Sequence, residues 1–533
     1  MCDRAKIGLA VLLVGLAGCQ GYHRGFLTRA EREIDRILDE KRHEAVGQWQ
    51  ENARYPDPAP APEPEPEAEP STGPGETETA LPEPKPRVLS LREAMKTATM
   101  NNRNFKSQLE ALQLSALDAA LQRRNVGPII SNTLAYVYAN SPGTNADGNA
   151  SASVGVSKIV PTGGTVETST SGAINDDYEG GDTTYSHDVR ISFEQPLLRG
   201  YGYDVAYEDL TQAERNVLYA LRDFELFRQD FTIDVVRRYY GVLRQKQVVD
   251  NSQRTYEQFK FLRKRSEALF EVGRVSAIDK FRAAQEELTA RNNLITAQET
   301  LAALLDEFKV FLGLPTSTAI DVERVEPEMK PVNIDLRSAL DAALYNRLDL
   351  KTDADRVDDA ERKVRVARNA LLPDLDLEAS LAVDGAKTGG GSMSYEGSHS
   401  LGVSLTLPLD KVRERNRYKS ALITLRRRRR GCDESRDEIR VEVMNTYRRL
   451  RRLPNSVRIQ RANVDLAERR VRNAHIRFEA GELGNRDVVE AESAKLNAQN
   501  ALIRAILDYE VARLQLKRDI GILFVDNDGM WKE

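Results

Sequence analysis

The sequence predicts a mainly α-helical protein with a smaller β portion, built from two internal repeats. Three observations lead to this fold class. The stretch 204–272 carries a helical pattern without proline, segments such as 374–383 alternate apolar with polar residues, and residues 336–351 repeat the pattern of 91–106. Alternation with period two is typical of strands, and self-similarity at a fixed offset indicates a duplicated unit.

Composition agrees with long helices and argues against a nucleic-acid-binding protein. Of the 533 residues, 41% are hydrophobic and 30% are charged, but only 6% are aromatic, a balance typical of long helices. The net charge of -5 provides no basic field that would attract nucleic acid. The five arginines at 426–430 are therefore interpreted as a solvated helix face, although such a run can also mark a nucleic-acid patch.

The N-terminus has the features of a secretory signal peptide with a lipid attachment site. Residues 7–16 form an apolar run that is too short to span a bilayer as a mature helix. The sequence LAGC at 16–19 ends this run and resembles a bacterial lipobox. We therefore expect residues 1–18 to be removed and Cys19 to carry acyl chains that hold the protein on a membrane. An ordinary signal peptide that happens to contain a cysteine is the alternative.

A proline-rich linker separates the lipidated N-terminal segment, residues 19–55, from the body of the protein. The linker covers 56–88, and its residues 56–86 hold eleven of the chain's 21 prolines, interleaved with glutamates. Such a composition cannot bury a core and favours an extended conformation of about 3.1 Å per residue. We expect it to be a tether.

The body consists of two copies, residues 89–314 and 335–523, joined by a linker at 315–334 and followed by a tail at 524–533. Each copy is predicted to contain a helix, two strands, a long helix, a turn and a further helix. In the first copy the first helix is predicted to run from 92 to 126 without interruption. It begins with a capping box formed by Ser90 and Glu93, and Asp335 takes the place of Ser90 in the second copy.

The long helices are predicted at 204–272, which contains no proline, and at 413–480, where Pro454 is expected to kink the helix. At 1.5 Å per residue each would extend about 100 Å. The two shorter helices of each copy together match the length of its long helix. Apolar seams of this length need neighbouring helices to cover them.

Four strands are predicted, near 131–140 and 186–195 in the first copy and near 374–383 and 400–409 in the second. Their apolar and polar faces suit either a half-buried sheet or a transmembrane barrel with a wet lumen. Four strands cannot close a barrel, because about eight are needed and open edges are not tolerated in lipid. If these strands enter a membrane, several chains must contribute to one barrel.

The ordered combination of these features resembles the TolC-like outer-membrane efflux proteins. It comprises the lipobox, the duplicated unit, the sequence QPLLRG at 195–200 after a strand, and LPL at 407–409 in the second copy. The resemblance covers about residues 90–523. It implies a homotrimer whose twelve strands form an outer-membrane β-barrel, continued by a long periplasmic α-helical barrel. The acidic tether and the long first hairpin, 139–186, depart from the family pattern.

The function that the resemblance implies is a passive channel in a tripartite efflux or type I secretion system. Substrates would come from an inner-membrane pump and a periplasmic adaptor protein, and the channel would sit in the outer membrane, anchored by lipid. The alternative is a lipid-anchored periplasmic coiled-coil scaffold or adaptor. An adaptor is expected to contain one helical hairpin beside a biotinyl-like β domain, and the duplication with four strands argues against it.

Two turns between helices are candidate functional elements. Gly273 and Gly481 are expected to end one helix of each hairpin with a positive φ, and Ser276 with Asp279 to cap the helix after the first turn. The resemblance implies that these turns form the periplasmic tip that closes the tunnel and docks the adaptor.

Asp487 and Glu490 are candidate gate residues. They are three positions apart and therefore share a helix face, although acidic residues are also common at helix N-termini for electrostatic reasons alone. The resemblance implies that they form two acidic rings at the constriction on the trimer axis. Carboxylates crowded there would have raised pKa values and attract cations, which predicts a gate that multivalent cations plug.

Motifs of enzymes are missing from the sequence. The five histidines are scattered without His-Glu-x-x-His spacing, and there is no Gly-x-Ser-x-Gly or phosphate-binding loop. We expect no catalytic activity, no metal and no cofactor other than the lipid on Cys19.

Overall fold

The computed structural model describes most of the two repeats and a helix near the N-terminus. The described residues are 23–46, 87–139, 147–177, 182–324, 329–330, 332, 334–480, 482–526 and 528–531. The expected signal peptide, Cys19 and most of the proline-rich linker lie outside these ranges.

Each repeat contains helix, strands, long helix and final helix in the predicted order, but the first repeat contributes four strands to the large sheet and the second contributes two. The helices are α1 (His23–Val46), α2 (Leu91–Asn101), α3 (Arg103–Val126), α4 (Tyr203–Ala206), α5 (Glu208–Glu271), α6 (Ala277–Leu312), α7 (Leu336–Asn346), α8 (Leu348–Asn369), α9 (Val412–Glu479) and α10 (Asn485–Ile520). The strands are β1 (Arg87–Leu89), β2 (Ile129–Ala139), β3 (Asp147–Ile159), β4 (Thr165–Asp177), β5 (Thr184–Pro196), β6 (Ile320–Val322), β7 (Asp374–Thr388) and β8 (Ser394–Thr406).

The chain divides into two compact units, each of which draws on both repeats. The first unit contains the large sheet and comprises the described residues within Met1–Gln48, Glu110–Asp223 and Asp349–Ser435. The second unit contains the turns between the long helices and comprises the described residues within Trp49–Leu109, Phe224–Leu348 and Arg436–Glu533.

The large sheet of the first unit has six strands, in the order β2-β3-β4-β5-β7-β8, and all neighbours are antiparallel. The prediction of four strands is therefore wrong, because β3 and β4 lie between 139 and 186, where the sequence predicts a single long hairpin connection. These strands do alternate, but with small residues. Val154 and Val156 face one way while Ser153 and Gly155 face the other, and such residues give little contrast in hydropathy.

The first helix of each repeat is interrupted, which differs from the continuous helix predicted over 92–126. The break after α2 is at Asn102, whose ψ of 127° is extended. Its side-chain amide donates a hydrogen bond to the Phe311 carbonyl at 2.6 Å, and its Oδ1 accepts one from the Phe105 N–H at 2.9 Å. The second repeat breaks in the same way at Arg347. A contact with a distant part of the chain causes the interruption, so local sequence does not reveal it.

The predicted helix caps are present. Ser90 and Glu93 form a complete capping box at the start of α2, and Asp335 accepts hydrogen bonds from the backbone of α7 at the equivalent position. These side chains satisfy amide groups that the first helical turn leaves without partners.

The core of the second unit surrounds a short parallel sheet of β1 and β6. Strand β1 precedes the first helix of the first repeat, and β6 lies in the linker between the two repeats. Leu89, Tyr239, Phe308 and Leu312 are fully buried there. The Tyr239 hydroxyl donates to the Leu89 carbonyl at 3.3 Å. Burial raises the pKa of Tyr239 to about 12.

Helix α1 packs against α3 and α5 within the first unit. Ile37 and Leu38 are buried. Arg123 of α3 forms ion pairs with Glu40 at 3.0 Å and with Glu214 of α5 at 2.8 Å. The Arg123 guanidinium lowers the pKa of Glu40. The charged segment after the expected lipid attachment site is thus held by both apolar and ionic contacts.

Among the described helices, none has the length and hydropathy that crossing a membrane requires.

Candidate functional site

The first turn between long helices has the geometry that its sequence predicts. Gly273 ends the preceding helix with a φ of +72°, in the left-handed region that glycine favours. The Ser276 hydroxyl accepts a hydrogen bond from the Asp279 N–H at 3.2 Å and donates one to Asp279 Oδ2 at 2.6 Å. Gly273 and Asp279 therefore define a sharp, capped turn. The docking role of this turn stays a prediction.

The second turn is described except for Gly481, which lies outside the described residues. Arg477 on α9 pairs with Glu482 at 3.0 Å, and the Glu482 N–H donates to the Arg477 carbonyl at 2.9 Å. Helix α10 then begins after Gly484, which provides no side-chain cap.

Asp487 and Glu490 both lie exposed on the first turns of α10, but their surroundings differ. Glu490 pairs with Arg470 of α9 at 2.7 Å, and this arginine lowers the pKa of Glu490. No ion pair of the Asp487 carboxylate is found in the described part of the chain, although Arg469 and Arg470 line the same shallow cavity. The crowding of these carboxylates on a symmetry axis concerns an assembly and stays a prediction.

An apolar cluster joins the four helices beside these turns. It contains Phe259 of α5, Ala290 of α6, Phe478 of α9 and Val488 of α10, all buried. Because each helix contributes to this cluster, the two helical hairpins pack as one body near the turns.

Glu492 is a charged residue inside this packing that sequence reasoning did not single out. Its side chain is only 3% exposed and lies 3.1 Å from His475 Nε2 and 4.0 Å from Lys495 Nζ. A buried carboxylate requires such partners, because burial without them costs several kcal/mol, about 3–5 when one partner is removed. The sequence signal was its position four residues after Val488, on the packing face of the helix.

Polar contacts also link the two hairpins. Arg265 of α5 pairs with Glu479 of α9 at 3.2 Å and its guanidinium lies 5.3 Å from the centre of the Phe478 ring. The Asn251 side-chain amide donates to Asn500 Oδ1 of α10 at 2.9 Å. These contacts hold the hairpin of the first repeat against that of the second.

Helix α9 is strongly basic. It contains 21 lysine or arginine and 9 aspartate or glutamate side chains, a net charge of +12 in a chain of net charge -5. The arginines at 426–430 are all exposed, and Arg429 pairs with Glu361 of α8 at 2.7 Å. The exposure agrees with a solvated helix face.

A model of one protein family matches the second repeat. The family is described as outer membrane efflux protein, and the match covers residues 339–521.

Two characterised proteins are related to the chain over much of its length. The alkaline protease secretion protein AprF of Pseudomonas aeruginosa is 27% identical over 357 residues, and the match covers 62% of this chain and 69% of AprF. The outer membrane protein TolC of Escherichia coli is 24% identical over 330 residues, covering 56% of this chain and 63% of TolC. The chain thus spans somewhat less than two thirds of TolC.

Solved structures share the fold. The outer membrane protein VceC of Vibrio cholerae superimposes with a TM-score of 0.61 at 14% sequence identity, covering 81% of this chain and 96% of VceC. A structure of CusC gives a TM-score of 0.59 at 12% identity, with 84% and 99% covered.

Proposed function

We propose that this chain, which is a TolC-like outer membrane efflux protein, forms the outer-membrane channel of a tripartite efflux or type I secretion system. It acts as a passive conduit, and an inner-membrane pump with a periplasmic adaptor supplies both the substrates and the energy. The channel is a homotrimer that catalyses no reaction.

The observation that carries this proposal is the exposed apolar face of the large sheet. Ile130, Ile191, Leu381 and Leu401 are between 45% and 77% exposed, and the paired register places them on one face. A soluble monomer rarely exposes a continuous apolar surface of this kind. Lipid would cover it, while the serine-rich opposite face would line water.

Open edges require further copies of the chain. In the described sheet β2 and β8 each have a partner on one side only. Unpaired strand edges are not tolerated in the hydrocarbon region, because no water is present to satisfy their amide and carbonyl groups. Joining β8 of one chain to β2 of the next in a trimer closes the barrel.

The helical hairpins provide the periplasmic part and its gate. In this proposal the turns with Gly273, Asp279 and Gly481 dock the adaptor, and Asp487 and Glu490 surround the constriction. The contacts of Arg265 with Glu479 and Phe478 keep the hairpins in the closed arrangement until the adaptor separates them.

Lipid on Cys19 anchors the N-terminus to the outer membrane. The docking of α1 through Arg123, Glu40 and Glu214 supports this part of the proposal, because it holds the segment after the lipid site against the unit that contains the large sheet.

Conductance in a planar bilayer tests the proposed function. The purified lipoprotein should insert and give stable channels, and chemical crosslinking in detergent should yield a trimer. A periplasmic scaffold or adaptor would give neither channels nor a detergent-dependent trimer, and that outcome would rule out the conduit.

A further inference from the structure

We propose that the hairpin β3–β4 is part of the wall of the membrane barrel, so that three chains close a barrel of eighteen strands rather than twelve. This inference rests on the proposed trimeric channel. It concerns the width of the barrel and hence the size of the substrates that can leave through it.

The first argument is the hydrogen-bonded ladder. Strand β3 pairs with β2 from Asp147↔Ala139 to Ser157↔Ile129, and β4 pairs with β5 from Thr165↔Glu194 to Asn175↔Thr184. Pairing with the neighbouring strand therefore covers eleven of the 13 residues of each hairpin strand. The inserted hairpin separates β2 from β5, so it cannot leave the sheet without creating two new open edges.

The second argument is that the hairpin shares the apolar face of its neighbours. One row across the sheet joins Ile130, Val156, Thr168, Ile191 and Leu381 through successive registered pairs. Residues paired in this way lie on the same face of a sheet.

The exposed apolar residues of the hairpin follow the same rule. Val154, Val156 and Ile174 are 49%, 39% and 44% exposed. The adjacent row on the opposite face is polar or small, with Ser131, Gly155 and Ser169 among its members. A membrane wall with lipid on one side and water on the other requires this division.

The third argument is that the β3–β4 turn is fastened to the end of β5. The Thr162 hydroxyl donates to Gln195 Oε1 at 2.6 Å, and the Gln195 amide donates to the Thr162 carbonyl at 3.2 Å. Gly163 lies so close to Gly200 that an added Cβ would meet the Gly200 carbonyl oxygen at 2.2 Å.

The Tyr207 hydroxyl also donates to the Ile159 carbonyl at 3.3 Å. The hairpin therefore contacts the QPLLRG segment and the residues that follow it, which connect β5 to the helices. The hairpin is therefore built into the junction of sheet and helix in the first unit, which a surface flap would not require.

The strands are long enough to cross the membrane. Both β3 and β4 have 13 residues, and a tilted strand needs about 9–11 to span the hydrocarbon core. The diameter of a barrel grows about linearly with strand number, so eighteen strands give a barrel about 1.5 times as wide as twelve. Barrels of 16–18 strands leave an aqueous channel, which suits bulky substrates.

Single cysteines on the two faces of the hairpin test its position. Two variants of the full-length lipoprotein, both with Cys432→Ala, carry one new cysteine each in β3. Val154→Cys places it on the apolar face and Ser153→Cys on the opposite face, and each cysteine carries a fluorescent label. The matched pair Leu381→Cys and Ser380→Cys does the same in β7. The labelled trimers are reconstituted in vesicles that contain either brominated lipid or aqueous iodide.

We expect brominated lipid to quench the labels at 154 and 381, and iodide to quench those at 153 and 380. If iodide quenches the label at 154 while lipid still quenches the label at 381, the hairpin lies outside the wall and this inference is overturned. If lipid quenches neither 154 nor 381, the sheet is not in the membrane, and the proposed channel fails together with the inference.

Deletion of residues 147–177 tests the strand count directly. We expect electron microscopy to show eighteen strands in the unaltered trimer and twelve in the deletion variant, with a barrel narrower by about one third. Deletion of residues 56–86, which removes the same number of residues from the linker, should leave eighteen. Twelve strands in the unaltered trimer would overturn the inference while leaving the channel intact. If the 147–177 variant does not fold, the count in the unaltered trimer decides.

Discussion

A Cβ atom added to Gly313 would lie 2.3 Å from the carbonyl oxygen of Asn101. The second repeat has the equivalent contact, since a Cβ at Gly521 would lie 2.9 Å from the Cβ of Asn346. Both glycines end a helix with a positive φ, of 72° and 77°. Each glycine thus lets the last helix of its repeat approach the break in the first helix, and this close contact is present in both repeats.

Replacement of Gly313 should destabilise the protein strongly. In Gly313→Ala the left-handed conformation alone costs about 1–2 kcal/mol, and the overlap with Asn101 adds to it. We expect a lower midpoint of thermal unfolding by far-UV circular dichroism. Gly241→Ala is the matched control, because nothing lies within 4 Å of a Cβ at that position in α5. A drop of equal size in both variants would contradict the role assigned to this contact.

Arg470 should limit cation binding at the proposed gate. Arg470→Gln removes the partner of Glu490, and we expect a trivalent cation such as La³⁺ to block the channel at a concentration about three to ten times lower. Arg469→Gln is the control, because it also removes one positive charge, but Arg469 pairs with Asp465 and not with Glu490. We expect this variant to change the block less. Asp487→Ala should weaken the block. Unchanged block in Asp487→Ala would refute the acidic gate.

The lowered pKa of Glu490 gives the Arg470 pair a definite pH dependence. The pKa of Glu490 in the folded protein lies below the ordinary pKa of the carboxyl group. The ion pair with Arg470 is therefore fully present at a pH above the ordinary pKa, and it is lost as the pH falls through the lowered pKa. We expect the difference in cation block between the native channel and Arg470→Gln to disappear in strongly acidic buffer. A difference that persists there would mean that Arg470 acts through another partner.

Loss of Arg265 should favour the open channel. Arg265→Ala removes an ion pair with Glu479 and a contact with the Phe478 ring, together worth about 1 kcal/mol. We expect the ratio of open to closed channels in bilayer recordings to rise about fivefold. Lys260→Ala serves as the control, because its ring contact, with Tyr256, stays within α5.

Arg123 should hold the N-terminal helix in place. Arg123→Ala removes the ion pairs with Glu40 and Glu214, and limited proteolysis should then cleave within α1 several times faster. Arg36→Ala is a control on α1 itself, because its ion pair is with Glu33 of the same helix. The Glu40 pKa is lowered, so the ion pair should weaken as the pH falls below the ordinary carboxyl range. Equal cleavage of both variants would argue against docking by Arg123.

Local patterns predicted the long helices and the caps well. The sequence predicted helices over 204–272 and 413–480, and the structure has them at Glu208–Glu271 and Val412–Glu479. Ser90 with Glu93, and Ser276 with Asp279, form the predicted caps. Helical patterns and capping residues depend on residues that are close together in the sequence, so they are recognisable without knowledge of the fold.

Features that depend on distant contacts were missed. The break at Asn102 depends on the Phe311 carbonyl, which is 209 positions away in sequence. Strands β3 and β4 are held by their pairing, while their alanine, serine and threonine side chains give a weak pattern. The spacing of Glu492 from Val488 places it on the packing face of α10, but its contact with His475 depends on the fold.

The two unpaired edges of the large sheet also constrain how the protein is made. An exposed strand edge is a template on which any other extended chain can add, so a subunit that had folded alone would be at risk of joining the wrong neighbour. If the proposed trimer forms, delivery to the membrane must therefore keep β2 and β8 apart from foreign strands until three subunits meet. Biogenesis of this protein should depend on a holding chaperone, and on the local concentration of newly made chains, more than that of a barrel formed by one polypeptide.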